Sequence, residues 1–224
     1  MRTDLLIAPM VKPRDKSIIS YFSDGHILDY KKDQTIIQGF EEPDGVYLIK
    51  KGFVKAYSIS DNGNGNLLII HEAGEFIPLP WALNGANFTG LSYHAMTDVI
   101  VIKASKDRLR DAMGNNQWLA QEVLNQAVNI IALYTQRIQT LEFRSARERI
   151  IAELIYLAKR FGKNEGQEIL IDAPITHQDI ADSISMNRET ASRALESLFK
   201  EGLVLQRDHL FSVVNITKLQ HILN

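Results

Sequence analysis

Between His26 and about Ile102 the apolar residues come in short runs broken by turn residues roughly every 8–12 positions, the pattern of a β domain. Val46-Tyr47-Leu48-Ile49 and Phe53-Val54-Lys55-Ala56-Tyr57 flank Lys51-Gly52, which predicts two strands around a tight turn. The Asn and Gly of Asp61-Asn62-Gly63-Asn64-Gly65-Asn66 supply the φ > 0 positions of a second hairpin. Leu67 to His71, Tyr93 to Ala95 and Val99 to Ile102 continue the series. Many short strands of this spacing predict a jelly roll or barrel.

From 115 to 141 the period changes. Ala120, Leu124, Ala127, Ile131, Tyr134, Ile138 and Leu141 recur at alternating steps of four and three, an a/d seam of about three heptads. A helix of about 27 residues is roughly 40 Å long, more apolar length than a small barrel readily covers. Homodimerisation through these side chains is therefore the expectation, and the alternative is one amphipathic helix lying on its own barrel.

Beyond Phe143 the helices shorten. One is predicted over 146–161, ended by Gly162. Thr176 can cap the next, with Asp179 at the capping-box position. A break at Ser185-Met186, a cap at Asn187 and a helix to Lys200 give helix-turn-helix spacing, and Gly202 closes the second helix. Leu203 to Arg207, Asp208-His209 and Leu210 to Val214 predict a two-stranded wing.

On that second helix Met186, Ala191, Leu195 and Leu198 face inward, as Ile180, Ala181 and Ile184 do on the first. The opposite face presents Arg188, Glu189, Ser192 and Arg193 near the N-terminus, where a major-groove helix carries its base-reading side chains. Arg can bond guanine O6 and N7 together, and Glu can accept from cytosine N4. Thr190 or the Asn187 cap could meet phosphate, and Thr176 is also expected among the DNA-binding residues. A plain solvated helix with a Glu189–Arg193 pair is the alternative for this face taken alone.

Thr176-His177-Gln178-Asp179-Ile180-Ala181-Asp182 followed by Asn187-Arg188-Glu189-Thr190-Ala191-Ser192-Arg193 resembles the operator-reading segment of the CRP/FNR family of bacterial transcription regulators. Residues 47–55 resemble that family's sensor hairpin, His71-Glu72-Ala73-Gly74-Glu75-Phe76 its next strand and turn, and Arg147-Glu148-Arg149-Ile150-Ile151-Ala152 the start of its DNA-binding domain. The fold expected is α+β: a jelly-roll, cyclic-nucleotide-binding-like barrel over 1–114, a dimerisation helix and hinge over 115–142, and a winged helix-turn-helix over 143–224. By position the resemblance implies Arg188, Glu189 and Arg193 as base readers, on an inverted repeat with a G·C-containing core similar to TGTGA. Two departures stand out: Ser185 occupies a turn position where the family usually has Gly, and Ala191 one where a β-branched residue is usual.

The effector is a separate matter. Cyclic-nucleotide binders of this family carry a Gly-Glu-Leu stretch and then an Arg-Ser/Thr pair, whereas here Leu79 and Thr89-Gly90 stand near those places. No Lys or Arg occurs between Lys55 and Lys103, so a cyclic phosphate would lack the cation such anions favour. With no Cys in the chain, an all-Cys iron–sulfur sensor and disulfides are excluded. His71 and His94 keep a haem-responsive regulator open, while Phe76, Trp81, Tyr93 and Phe88 suit an apolar effector or simply a core. No cofactor is predicted.

Composition narrows the rest. A net charge of −2, divided as 14 basic against 16 acidic residues up to 142 and 11 against 11 beyond, gives no global field for nucleic acid, so the DNA argument is local. The barrel histidines His26, His71 and His94 are widely spaced, which disfavours the runner-up, a cupin-type metal enzyme, and Glu72 and Glu75 read as turn and surface residues. No P-loop, Rossmann or nucleophile-elbow motif occurs, so no enzyme, metal site or catalytic residue is expected. An acid and a Pro interrupt the first nine residues where a signal peptide needs an apolar core, and no apolar run is long enough to span a bilayer. The expected setting is the cytoplasm; the expected partners are duplex DNA, a second copy and, for an activator, RNA polymerase.

Overall fold

A computed structural model describes residues 16–59, 65–84, 90–143 and 145–223. The described chain divides into two compact units, one up to Ile131 and one from Ala132 onward.

The first unit holds eight described strands: β1 (His26–Tyr30), β2 (Thr35–Ile37), β3 (Val46–Lys51), β4 (Val54–Ile59), β5 (Gly65–His71), β6 (Phe76–Ile77), β7 (Ser92–Ala95) and β8 (Val99–Ala104). They form two antiparallel sheets in the orders β1-β8-β3-β6 and β2-β7-β4-β5. Helices α1 (Leu79–Asn84), α2 (Lys106–Asn115) and the first half of α3 (Gln117–Phe143) complete the unit. The two sheets differ in pattern because they are covered differently. Val46, Tyr47, Leu48 and Ile49 of β3 are all buried, since Val46 and Leu48 join a cluster with Phe22, Leu109, Leu119 and Val123 from the helices. In β4, Val54 and Ala56 are buried while Lys55 and Tyr57 are half-exposed, the alternation of a sheet with one wet face.

One expectation for this unit needs correction. β3 and β4 are not a hairpin: they lie in different sheets, and the chain crosses between them at Gly52. Gly52 has φ +94°, and a Cβ there would lie 2.5 Å from the Asp98 carbonyl oxygen. The glycine therefore serves a close crossing, not a two-residue turn. The second hairpin does exist in its arms, with β4 and β5 paired from Val54↔His71 to Ile59↔Gly65, while its tip, 60–64, lies outside the described residues.

The second unit contains the rest of α3, α4 (Ala146–Phe161), β9 (Gly162–Glu165), β10 (Glu168–Ile171), α5 (His177–Ser183), α6 (Arg188–Lys200), β11 (Val204–Arg207), β12 (Leu210–Val213) and α7 (Ile216–Leu223). Ser145 caps α4 with Glu148 completing a capping box, and eleven residues of that helix are buried. The predicted wing is larger than two strands: β11 and β12 extend onto β10 and β9 in one four-stranded sheet. Asp208 and His209 both have positive φ, 48° and 67°, the two-residue turn that suits a right-twisted hairpin.

Helix α3 has a buried face and an exposed one. Leu119, Val123 and Leu133 are buried, so part of the helix does lie on its own unit. Leu124, Val128, Ile131 and Ile138 are 53–65% exposed on another face. The seam expected from the heptads is not uniform: Leu124, Ile131 and Ile138 are exposed, whereas Ala127, Tyr134 and Leu141 are half-buried, with Ala127 packed against the core cluster. The two heptad positions lie about 60° apart around the helix, so one set turns inward while the other faces out.

Candidate nucleic-acid interface

The helix pair is built from its caps. The Thr176 hydroxyl accepts from the Asp179 amide at 3.1 Å and donates to Asp179 Oδ2 at 2.6 Å, while that carboxylate also accepts from the Thr176 amide at 2.9 Å. Thr176, expected among the DNA-binding residues, is thus engaged in starting α5. Between the helices Ser185 adopts φ +52°, the left-handed conformation that explains why glycine is usual there, and the Met186 amide reaches back to the Ala181 carbonyl at 2.9 Å. Asn187 Oδ1 accepts from the Thr190 amide at 2.8 Å, which leaves the Asn187 amide nitrogen for an outside acceptor.

Ala191, Leu195 and Leu198 bury the inner face of α6 completely. Small Ala191 fits this packing with no exposed surface, although a β-branched residue is the family habit. On the outer face Arg188, Glu189 and Arg193 are exposed, and Thr190 and Ser192 half-buried. Glu189 and Arg193 do not pair; Arg193 donates instead to Thr190 Oγ1 at 3.4 Å, and Arg188 and Glu189 have no partner among the described residues. These side chains, expected as base readers, are brought together on one accessible face at the positive end of the helix. The far end is braced by Arg147 of α4, whose guanidinium makes two 2.7 Å bonds to Glu201 and one of 3.0 Å to Ser197. The Arg147 bonds, and then that of Ser197, hold the Glu201 carboxyl down at about 2.

Sequence reasoning missed His177 as part of this surface. Its Nδ1 lies 3.1 Å from Ser192 Oγ on α6 and its Nε2 3.4 Å from Gln206 Oε1 on β11, and its ring stacks on Phe211 at 5.6 Å. Its place directly after the Thr176 cap was the available signal. Arg207, at the wing tip, is held by two 3.3 Å bonds to Glu168.

The expected effector residues do not converge. Phe76 and Trp81 are buried in the cluster beneath β3, Phe76 edge-on to Phe22 at 5.3 Å. His71 and Tyr93 are buried on the other sheet with rings 6.0 Å apart. His94 follows Tyr93 and so points to the opposite, half-exposed face, where Nε2 meets the Tyr57 hydroxyl at 2.6 Å. Burial there, aided by Lys55, lowers its pKa. His71 and His94 therefore cannot share one ligand, because strand alternation separates them. Phe88 and Thr89 lie outside the described residues. Glu75, read as a surface residue, is buried at 7% exposure and takes a 2.8 Å bond with His71 Nδ1. Gln126 of α3 clamps the same turn, accepting from the Phe76 amide at 3.1 Å and donating to the Gly74 carbonyl at 2.9 Å. No group of three or more possible metal ligands occurs among the described residues.

A β-sandwich, a long helix and a winged helix-turn-helix with an accessible, arginine-bearing recognition helix define a DNA-binding transcription regulator with a sensor-type domain. Residues 27–116 match the cyclic nucleotide-binding domain family and residues 148–222 the Crp-like helix-turn-helix domain. The chain belongs to the CRP/FNR family, whose members are transcription regulators and not enzymes. It is 24% identical over 177 residues to the CRP-like cAMP-activated global transcriptional regulator of Mycobacterium tuberculosis, covering 79% of each chain. It is also 24% identical over 190 residues to the fumarate and nitrate reduction regulatory protein of Escherichia coli, covering 83% of this chain and 73% of that one. Its fold matches that of CooA from Carboxydothermus hydrogenoformans with a TM-score of 0.78 at 19% identity, over 92% of this chain and 90% of the other. Among the described residues no helix is long and apolar enough to cross a membrane.

Proposed function

We propose that the protein is a homodimeric, sequence-specific regulator that binds an inverted repeat with a G·C-containing core. The carrying observation is the outer face of α6, where Arg188, Glu189 and Arg193 are exposed together beside a capped N-terminus. The exposed apolar stripe of Leu124, Val128, Ile131 and Ile138 supports self-association, since water is a poor neighbour for four large aliphatic side chains on one helix. Two copies paired along α3 would place recognition helices in successive major grooves about 34 Å apart. Work on chromosomal DNA implies a cytoplasmic setting, and an activator would also meet RNA polymerase.

The sensor domain, on this reading, does not take a cyclic nucleotide. No Lys or Arg stands between Lys55 and Lys103 to meet a cyclic phosphate, and the His71–Glu75 pair places a carboxylate inside the domain. A haem shared by His71 and His94 is disfavoured by their opposite faces.

The test is selection of binding sites from randomised duplex DNA by the purified protein, followed by titration at two salt concentrations. An inverted repeat with salt-dependent affinity is expected, because phosphate neutralisation releases counterions. Enrichment of no sequence, with and without cell extract, would overturn the reading. Cyclic AMP added to the same titration is expected to leave affinity unchanged.

A further inference from the structure

His177 holds two elements of the DNA-binding unit at once, and its chemistry fixes the hydrogen-bonding sense of a third group. The ring lies over Phe211 at 5.6 Å, with Phe199 at 6.3 Å, which sets its plane. Gln206 Oε1 lies 3.4 Å from Nε2, and a carbonyl only accepts, so this pairing is made by the imidazole tautomer that carries its proton on Nε2. Nδ1 then carries the lone pair. Across 3.1 Å from it stands Ser192 Oγ, whose single proton must point at the ring to make that bond. Two lone pairs are left on Ser192, so the side chain faces outward as an acceptor and not as a donor.

We infer that His177 is a specificity-determining positioning residue: by occupying the Ser192 proton it makes that recognition-helix hydroxyl an acceptor, tuned to the exocyclic amino groups of adenine N6 or cytosine N4. Guanine O6 and N7, thymine O4 and phosphate oxygens all accept, and gain nothing from Ser192 in this state. The inference rests on the DNA-binding reading above. It assigns His177 no contact with DNA.

The experiment repeats the site selection with four proteins: wild type, Ser192→Ala, His177→Phe and His177→Asn. Ser192→Ala locates the base pair that Ser192 reads, as the column where preference is lost. His177→Phe keeps the stacking on Phe211 but offers neither nitrogen, so it frees the Ser192 proton. In that column the wild-type preference should fall about fivefold and move toward the reversed base pair, which puts a keto acceptor where the amino group stood, on the scale of one hydrogen bond. His177→Asn places an acceptor oxygen close to the position of Nδ1 and should restore the wild-type column. Thermal melts of all four report folding separately.

A purely structural His177 would give a different result: weaker binding to every duplex alike, with an unchanged preference in every column. That outcome, or a Ser192→Ala variant that changes no column, overturns the inference. If wild type itself enriches no sequence, the DNA-binding reading fails first and the inference falls with it.

Discussion

The outer face of α6 and the inner wall of the sensor domain use polar residues in opposite ways. On α6, Arg188 and Glu189 are exposed and without partners among the described residues, and Arg193 has only a long bond to its neighbour Thr190. Inside the sensor domain His71, Glu75 and Gln126 are buried and bonded to one another's segments, His71 to Glu75 and Gln126 to both sides of the 74–76 turn. Groups left in water keep their bonding capacity for a partner from outside. Groups taken out of water must be satisfied internally, because an orphaned one costs about 1–3 kcal/mol. The first arrangement stays open to a partner; the second fastens a helix to a turn.

Substitutions should therefore split cleanly between stability and binding. Glu75→Ala leaves His71 buried without its carboxylate and is expected to lose about 3 kcal/mol in urea unfolding. Gln126→Ala orphans the Phe76 amide and the Gly74 carbonyl and should lose about 2 kcal/mol by the same measurement. Arg193→Ala is the reverse case: an unchanged melting temperature, and a loss of about 2 kcal/mol on the selected duplex by titration. A large melting shift in that variant would erase the distinction. Ser185→Gly relieves a left-handed non-glycine residue and should add about 1 kcal/mol of stability without altering site preference.

The smallest effect is set by pH. Glu201 is held at about 2 against an ordinary 4.5, so its bond to Arg147 contributes fully above about pH 5. The contribution fades as pH falls through 4.5 toward 2, where the carboxyl protonates in the folded state as well. Wild type should exceed Glu201→Gln in stability near neutrality, and chemical unfolding in steps down to acid should show the gap closing over that interval.

Much of this was legible in the chain. Helix ends were readable because Thr176, Asn187 and Gly202 act on their own neighbours, and the structure starts α5 and α6 and ends α6 at those signals. The outer face of α6 was readable because a helix period sorts Ala191, Leu195 and Leu198 from Arg188, Glu189 and Arg193. What stayed hidden depends on distant partners. Lys51-Gly52 looks like a turn until Asp98, far along the chain, is seen against Gly52. Glu75, whose partner His71 is only four residues back, looks like a turn residue until Gln126 of α3 is seen clamping both sides of it. His177 becomes part of the interface only when the wing folds back to supply Phe211 and Gln206.

The exposed stripe on α3 also bears on dosage. If the DNA-binding form is the pair, its abundance at low protein levels follows the square of the number of chains, since two must meet for each one made. Doubling expression then raises the active form nearly fourfold until most chains are paired. A regulator of this build would answer to its own copy number as well as to any effector, and a gene controlling its own promoter through such a protein would switch more sharply than one controlled by a single chain.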